Sequence, residues 1–128
     1  MGRVMLDSSV LIALFNPNDG HHEMVVSKLD SEDNQYEISA IALMETLVAP
    51  FAAKPDRGDH MRSEMAEAIA VIHPVGEDVA VTAAKIRART KMKVPDALIS
   101  ATAILVGAQL WTLDQKLAKA HKGAVLIS

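Results

Sequence analysis

Residues 4–14, VMLDSSVLIAL, decide how this chain folds. Residues 3–6, RVML, suit a short buried strand, and the polar residues 7–9, DSS, have the short side chains that begin helices. Apolar residues over 10–15 then predict a helix, which the turn sequence NPNDG at 16–20 should end. The segment therefore predicts a buried strand that passes directly into a helix, with a carboxylate at the junction.

The rest of the chain alternates in the same way. Strands are predicted at 36–39, 71–75, 109–113 and 124–127, and helices at 21–30, 40–53, 59–69, 78–90, 95–106 and 115–121. Pro50 should kink its helix or end it early, Pro95 suits a first helical position, and Gly107 suits a helix end. Strands that alternate with helices predict an α/β protein with a mostly parallel sheet covered on both faces. The length is that of one domain over 1–128.

Composition narrows the possible functions. The net charge is −3, so nucleic acid would have to be held by a local basic patch or by bound metal. Four aromatic residues are too few for a base-stacking platform. Zero cysteines exclude disulfides and thiolate metal sites, and we expect a cytoplasmic protein. No apolar run reaches the roughly 18 residues of a membrane span, so no membrane association is expected.

Four acidic residues lie in apolar segments that are far apart in the sequence: Asp7, Glu45, Asp96 and Asp114. A carboxylate is costly to bury unless something pairs with it, and ligands of open α/β sheets bind beyond the carboxyl ends of the strands. If the fold gathers the four acids there, they form a pocket for hard cations, and all-oxygen ligands favour Mg²⁺ or Mn²⁺. Such ions catalyse phosphodiester hydrolysis by activating water. Nearby hydroxyls that could orient ligands or the water are those of Ser8, Ser9 and Thr112.

Each acid also has a simpler interpretation. Asp7 and Asp114 could cap the helices that follow them, and Asp96 could interact with a helix dipole. Glu45 fits such interpretations less well, because its helical neighbours are apolar and no basic residue lies within one turn. The hydroxyl residues could likewise be caps or ordinary strand residues.

The sequence resembles the PIN-domain family and, within it, the VapC-like toxins of type II toxin–antitoxin pairs. The matching segments are MLDSSVLIAL, SAIALMETL, IRARTKMKVPDALISATAILVGA and LWTLDQKLA, which together span nearly the whole chain. The resemblance implies a three-layer α/β/α sandwich with a five-stranded parallel sheet. It also implies an Mg²⁺- or Mn²⁺-dependent endoribonuclease whose acidic site is Asp7, Glu45, Asp96 and Asp114, and which an antitoxin protein inhibits. Gln115 and Lys116 stand where some PIN domains carry a further acid, which weighs against a full second metal site.

Two further surfaces bear on binding partners. The segment KIRARTKMK at 85–93 has five cations, and it could hold RNA phosphates or could simply be a solvated helix end. The RNA-binding candidates are Arg87, Arg89, Lys91 and Lys93, of which the arginines suit phosphate best. The apolar helices at 40–49 and 97–106 exceed what one small sheet must cover, so a homodimer is expected, as the resemblance also implies.

Two other functions compete with the endoribonuclease. A catalytically idle PIN-like module that binds RNA or protein would have no use for four clustered charges. A phosphotransfer protein with Asp7 as nucleophile would need a second aspartate at position 9, where Ser9 stands, if it were like haloacid dehalogenases. If it were like receiver domains, it would need a lysine directly after a late strand, and none of the predicted strands is followed by one. The pattern of acids therefore favours the endoribonuclease.

Overall fold

The alternating pattern folds into one five-stranded sheet with helices packed around it. In a computed structural model, which describes residues 2–128, the strands are β1 (Gly2–Leu6), β2 (Asn34–Ser39), β3 (Val71–His73), β4 (Gln109–Thr112) and β5 (Val125–Leu126). The helices are α1 (Ser8–Phe15), α2 (His22–Asp30), α3 (Ala40–Ala53), α4 (Pro55–Ala68), α5 (Glu77–Arg89), α6 (Val94–Val106) and α7 (Gln115–Ala120).

The sheet has the strand order β3-β2-β1-β4-β5, and all four strand pairs are parallel. Successive side chains of a strand point to opposite faces, yet Val4, Met5 and Leu6 of the central strand are all at most 2% exposed. Both faces are therefore covered by helices, as in other parallel sheets. The prediction of a three-layer α/β/α sandwich is confirmed.

Proline residues account for the main differences between predicted and observed boundaries. Pro50 does not end α3 early: the helix continues to Ala53, and the Lys54 N–H closes the last turn on the Pro50 carbonyl. The helix predicted from residue 59 begins at Pro55, a favoured first position. The third strand ends at His73, because Pro74 has no N–H to donate to the sheet.

A buried carboxylate that nothing in the sequence singles out holds the β3 side of the sheet together. Glu37 is fully buried and accepts two hydrogen bonds from the Arg3 guanidinium, at 2.7 and 2.8 Å. His73 Nε2 lies 2.6 Å from the same carboxylate. These contacts, with Arg3 contributing most, lower the pKa of Glu37 to about 2. Glu37 thus joins β1, β2 and the edge strand β3.

Replacing Glu37 with Gln should lower the free energy of unfolding by about 2 kcal/mol at pH 7. Breaking a fully buried ion pair costs about 3–5 kcal/mol, and Arg3 is partly solvated, which reduces the loss. The folded pKa lies below the ordinary 4.5, so the stabilisation is present above pH 4.5 and is lost as pH falls toward 2. Urea unfolding at several pH values measures this. A matched control is Glu32→Gln, which removes an exposed pair with Lys28; equal losses in both variants would contradict the expectation.

The apolar helices expose several large side chains, including Met44, Val48, Ile104 and Leu105. The sheet therefore does not use all the apolar surface of α3 and α6, as the composition of those segments indicated. None of the helices formed by residues 2–128 is long and apolar enough to cross a membrane.

Candidate active site

Two of the four acids follow neighbouring strands of the sheet. Asp7 comes directly after β1, and Asp114 comes two residues after β4, the strand that pairs with β1. The Asp7 N–H continues this pairing by donating to the Trp111 carbonyl at 3.2 Å. Because parallel strands end at the same edge, both carboxylates lie beyond the carboxyl ends of the strands.

Asp7 is held rigidly by its surroundings. Its side chain is 3% exposed, and one carboxylate oxygen accepts from the Val10 N–H at 3.0 Å and the Ser9 hydroxyl at 2.6 Å. The other oxygen accepts from the Thr112 hydroxyl. Burial raises the pKa of Asp7, although these three hydrogen bonds oppose the rise and the charge of Asp114 adds to it. Asp7 is therefore both the cap of α1 and a member of a charged group.

The same hydroxyls connect Asp7 to the turn that carries Asp114. Thr112 Oγ1 accepts from the Asp114 N–H at 2.9 Å, and Ser9 Oγ accepts from the Leu113 N–H at 3.1 Å. The carboxylate of Asp114 is exposed and caps α7 by accepting from the Lys116 N–H at 2.8 Å. Asp114 therefore caps a helix and also lies near Asp7.

Glu45 reaches the site from α3, where it accepts a hydrogen bond from the Ser8 hydroxyl. Its helical neighbour Val48 is 58% exposed, so this side of α3 faces solvent and not the core. Glu45 also lines a groove of about 760 Å³ between α1, α3 and α4. The apolar neighbours of Glu45 thus form the wall of an open groove, which lowers the cost of its charge.

Asp96 is the acid whose pKa is raised by the charges of all three other acids. It lies half-buried in the first turn of α6, and no side-chain hydrogen bond to it is found among the described residues. Burial raises the pKa of Asp96 first, followed by the charges of Asp114, Asp7 and Glu45, while Lys93 lowers it. Charges influence one another in this way only at short range. The fold therefore brings the four acids from four separate segments into one cluster, the acidic cluster.

The carboxylate oxygens of the acidic cluster are the type of ligand that a hard divalent cation prefers. The side chains are not arranged, however, so that several of them could bind one ion together. Within residues 2–128, no group of three or more acidic or histidine side chains is placed so that it could hold a metal ion. Asp7 and Glu45 are turned toward hydroxyl donors, and repulsion between carboxylates opposes closer approach. A bound cation would remove that repulsion, so the oxygen ligands and their mutual charge suit Mg²⁺ or Mn²⁺.

The basic segment lies beside this cluster in the chain. Arg87, Arg89, Lys91 and Lys93 are exposed at the end of α5 and in the turn to α6. Arg87 uses its Nε to donate to the Met92 carbonyl at 3.1 Å, which leaves its other nitrogens for ligands. Lys93 is near enough to Asp96 to lower its pKa. Cations therefore extend from the end of α5 to the rim of the acidic cluster.

Comparison with known proteins identifies the family. The model of the PIN domain matches residues 4–123 of this chain. The chain belongs to the PIN-domain family. This PIN domain contains all four acids within the matched range. No curated protein sequence is similar enough to add to the assignment.

Solved structures agree with this PIN domain over nearly its full length. A protein in a toxin–antitoxin complex from Klebsiella pneumoniae is 28% identical, with a TM-score of 0.82 and 98% of each chain covered. A chain of FitAcB from Neisseria gonorrhoeae is 25% identical, with a TM-score of 0.77 and 96% of each chain covered. The sarcin–ricin loop cleaving toxin VapC20 of Mycobacterium tuberculosis is 19% identical and shares the fold, with a TM-score of 0.77, 91% of this chain and 94% of that chain covered.

Proposed function

We propose that this PIN domain is a metal-dependent endoribonuclease and the toxin of a type II toxin–antitoxin pair. The observation that carries the proposal is the placement of four carboxylates from four separate segments at one edge of the sheet, where shared hydroxyl contacts join Asp7 to Asp114 and Ser8 joins Glu45 to the start of α1. A protein that only binds RNA gains nothing from them, because they repel phosphates. Similarity to a toxin–antitoxin complex over the whole chain supports the biological assignment.

The four acids have different tasks in this proposal. Asp7, fixed by three hydrogen bonds, provides a rigid carboxylate at the base of the site. Asp96 and Asp114 have fewer constraints, so they can move to share a cation with Asp7, and Glu45 completes the set from α3. Ser8, Ser9 and Thr112 orient the acids through the contacts described above. The chemistry that bound Mg²⁺ or Mn²⁺ supplies is activation of water and stabilisation of charge on the phosphate.

RNA is proposed to approach along the basic segment. Arg89, Lys91 and Lys93 are exposed and lead toward Asp96, so phosphates held there would place the chain next to the acidic cluster. An antitoxin protein and a second copy of this chain are the further proposed partners, and the exposed apolar residues of α3 and α6 supply surface for them.

The test is incubation of purified protein with total cellular RNA in Mg²⁺, in Mn²⁺ and in EDTA, followed by mapping of the new ends. We expect cleavage at defined positions with either ion and none in EDTA. Cleavage that survives EDTA unchanged would contradict the mechanism. RNA binding without cleavage under all conditions would favour the idle binding module instead.

Replacing Arg89 and Lys91 with Gln should raise KM for an RNA oligonucleotide about tenfold and leave kcat nearly unchanged. Removing two phosphate-binding cations should also reduce the slope of log affinity against log salt by about 1.4. Steady-state kinetics at several salt concentrations measure both effects. A matched control removes two exposed cations at α4, Lys54→Gln with Arg62→Gln. If the control raises KM by the same factor, only net charge matters and the basic segment does not bind the RNA.

A further inference from the structure

A serine and a histidine form a buried pair between α6 and the end of α7. Ser100 Oγ lies 2.5 Å from His121 Nδ1, and the two residues are only 2% and 8% exposed. Ser100 belongs to α6, and His121 is the residue at which α7 ends. Over residues 2–128, this is the only side-chain hydrogen bond that joins these two helices.

Ser100 differs from the other buried hydroxyls of the helices. Thr46 donates to the Ala42 carbonyl, and Thr102 donates to the Leu98 carbonyl, each within its own helix. A helical hydroxyl is usually satisfied in this local way. Ser100 instead makes its hydrogen bond to a residue 21 positions away. Its polarity therefore serves a contact between two segments and is not needed within α6.

The position of the pair relates it to the acidic cluster. Ser100 follows Asp96 by four residues, so both lie on the same side of α6, about 6 Å apart along the helix axis. The helix α7 begins after its N-cap Asp114 and ends at His121, about 10 Å further along the helix axis. Each helix thus has an acid of the cluster at its start and a member of the hydrogen-bonded pair one or two turns later.

We infer that Ser100 and His121 are positioning residues that fix the spacing between the carboxylates of Asp96 and Asp114. The inference rests on the proposed function of the acidic cluster. A contact between the middle of α6 and the end of α7 limits how the starts of the two helices, which carry Asp96 and Asp114, can move relative to each other.

The experiment compares variants that remove the hydrogen bond with variants that preserve it. Ser100→Ala and His121→Leu remove it. Ser100→Thr keeps the hydroxyl, and His121→Asn keeps a polar atom near the position of Nδ1. The matched control is Thr102→Ala, which removes a hydroxyl that is equally buried in α6 but bonded within its own helix.

Two quantities separate positioning from simple stability. The first is the Kd for Mg²⁺, obtained from thermal melts over a range of Mg²⁺ concentrations. The second is the division of the effect between kcat and KM for an RNA oligonucleotide.

Residues that contact metal ligands without touching the metal typically change metal affinity about 10–100-fold when they are replaced. We expect Ser100→Ala and His121→Leu to raise the Mg²⁺ Kd at least tenfold and to lower kcat with little change in KM. Ser100→Thr and His121→Asn should restore most of both, and Thr102→Ala should lower only Tm.

The possible outcomes distinguish this inference from the proposed function. If Ser100→Ala lowers Tm but keeps the parent Kd and kcat, as the Thr102→Ala control should, the pair is merely structural and the inference is overturned. Because His121→Leu is the larger change and could prevent folding, the small Ser100→Ala change decides in that case. If the parent protein neither binds Mg²⁺ nor cleaves RNA, the proposed function itself fails, and the inference fails with it.

Discussion

Replacing Asp96 with Asn should lower RNA cleavage by about 100-fold or more and leave a folded protein. Removing one preorganised electrostatic group from an active site typically costs about 10²–10³ in kcat. Asp96 is the most informative of the four acids for this test, because no side-chain hydrogen bond to it is removed by the exchange. Asn at position 7, by contrast, could not accept all three hydrogen bonds of Asp7. Single-turnover cleavage of a mapped RNA substrate provides the measurement.

The same variant should have a higher Tm than the parent in EDTA at neutral pH. Burial and three negative charges raise the pKa of Asp96, so its ionised form destabilises the folded state. For a raised carboxyl pKa, the favourable contribution is complete below the unfolded value near 3.8 and is lost as pH rises through the folded pKa. The difference in Tm should therefore disappear in acid and increase toward neutral pH. Asp33→Asn, in an exposed turn, is the control; a difference that does not depend on pH would exclude charge as its cause.

Saturating Mg²⁺ should raise the Tm of the parent protein by about 10 °C. A ligand that binds only the folded state at a hundredfold excess over its Kd adds about 2.7 kcal/mol, which for a domain of this size corresponds to roughly that shift. The relief of repulsion within the acidic cluster is part of the binding free energy that sets this Kd. Differential scanning calorimetry with MgCl₂ against matched NaCl measures it.

The Mg²⁺ shift should become much smaller in Asp96→Asn and stay unchanged in Asp33→Asn. An equal shift in parent and Asp96→Asn would mean that Mg²⁺ binds elsewhere or acts through ionic strength alone. An increase in Tm without cleavage would separate the two properties, because it would show a metal site that is catalytically idle.

The fold was predictable because its signals are local. The segment RVML over 3–6, followed by Asp7, predicts both a strand and its passage into a helix. Asp96 and Asp114 could be predicted as site residues for a similar reason, because each stands at the beginning of a helix with apolar residues around it. A parallel sheet then places its strand ends on one edge, which made a common location for Asp7 and Asp114 a reasonable expectation.

The sequence did not predict the contacts between polar residues that are distant from one another along the chain. Glu37 resembles an ordinary strand residue in the sequence, because Arg3 and His73 are each more than thirty residues away. His121 is isolated in the sequence, and its partner Ser100 lies in another helix. The orientation of the carboxylates toward hydroxyls was also unpredictable, because it depends on side-chain packing and mutual repulsion.

The all-parallel sheet has a consequence for synthesis on the ribosome. The central strand β1 is made first, yet Val4 pairs with Gln109 on one of its two sides, and the turn with Asp114 follows that pairing. Parallel pairings between such distant segments form late and slowly. A nascent chain therefore cannot assemble the acidic cluster until nearly all of it, including the turn with Asp114, has left the exit tunnel.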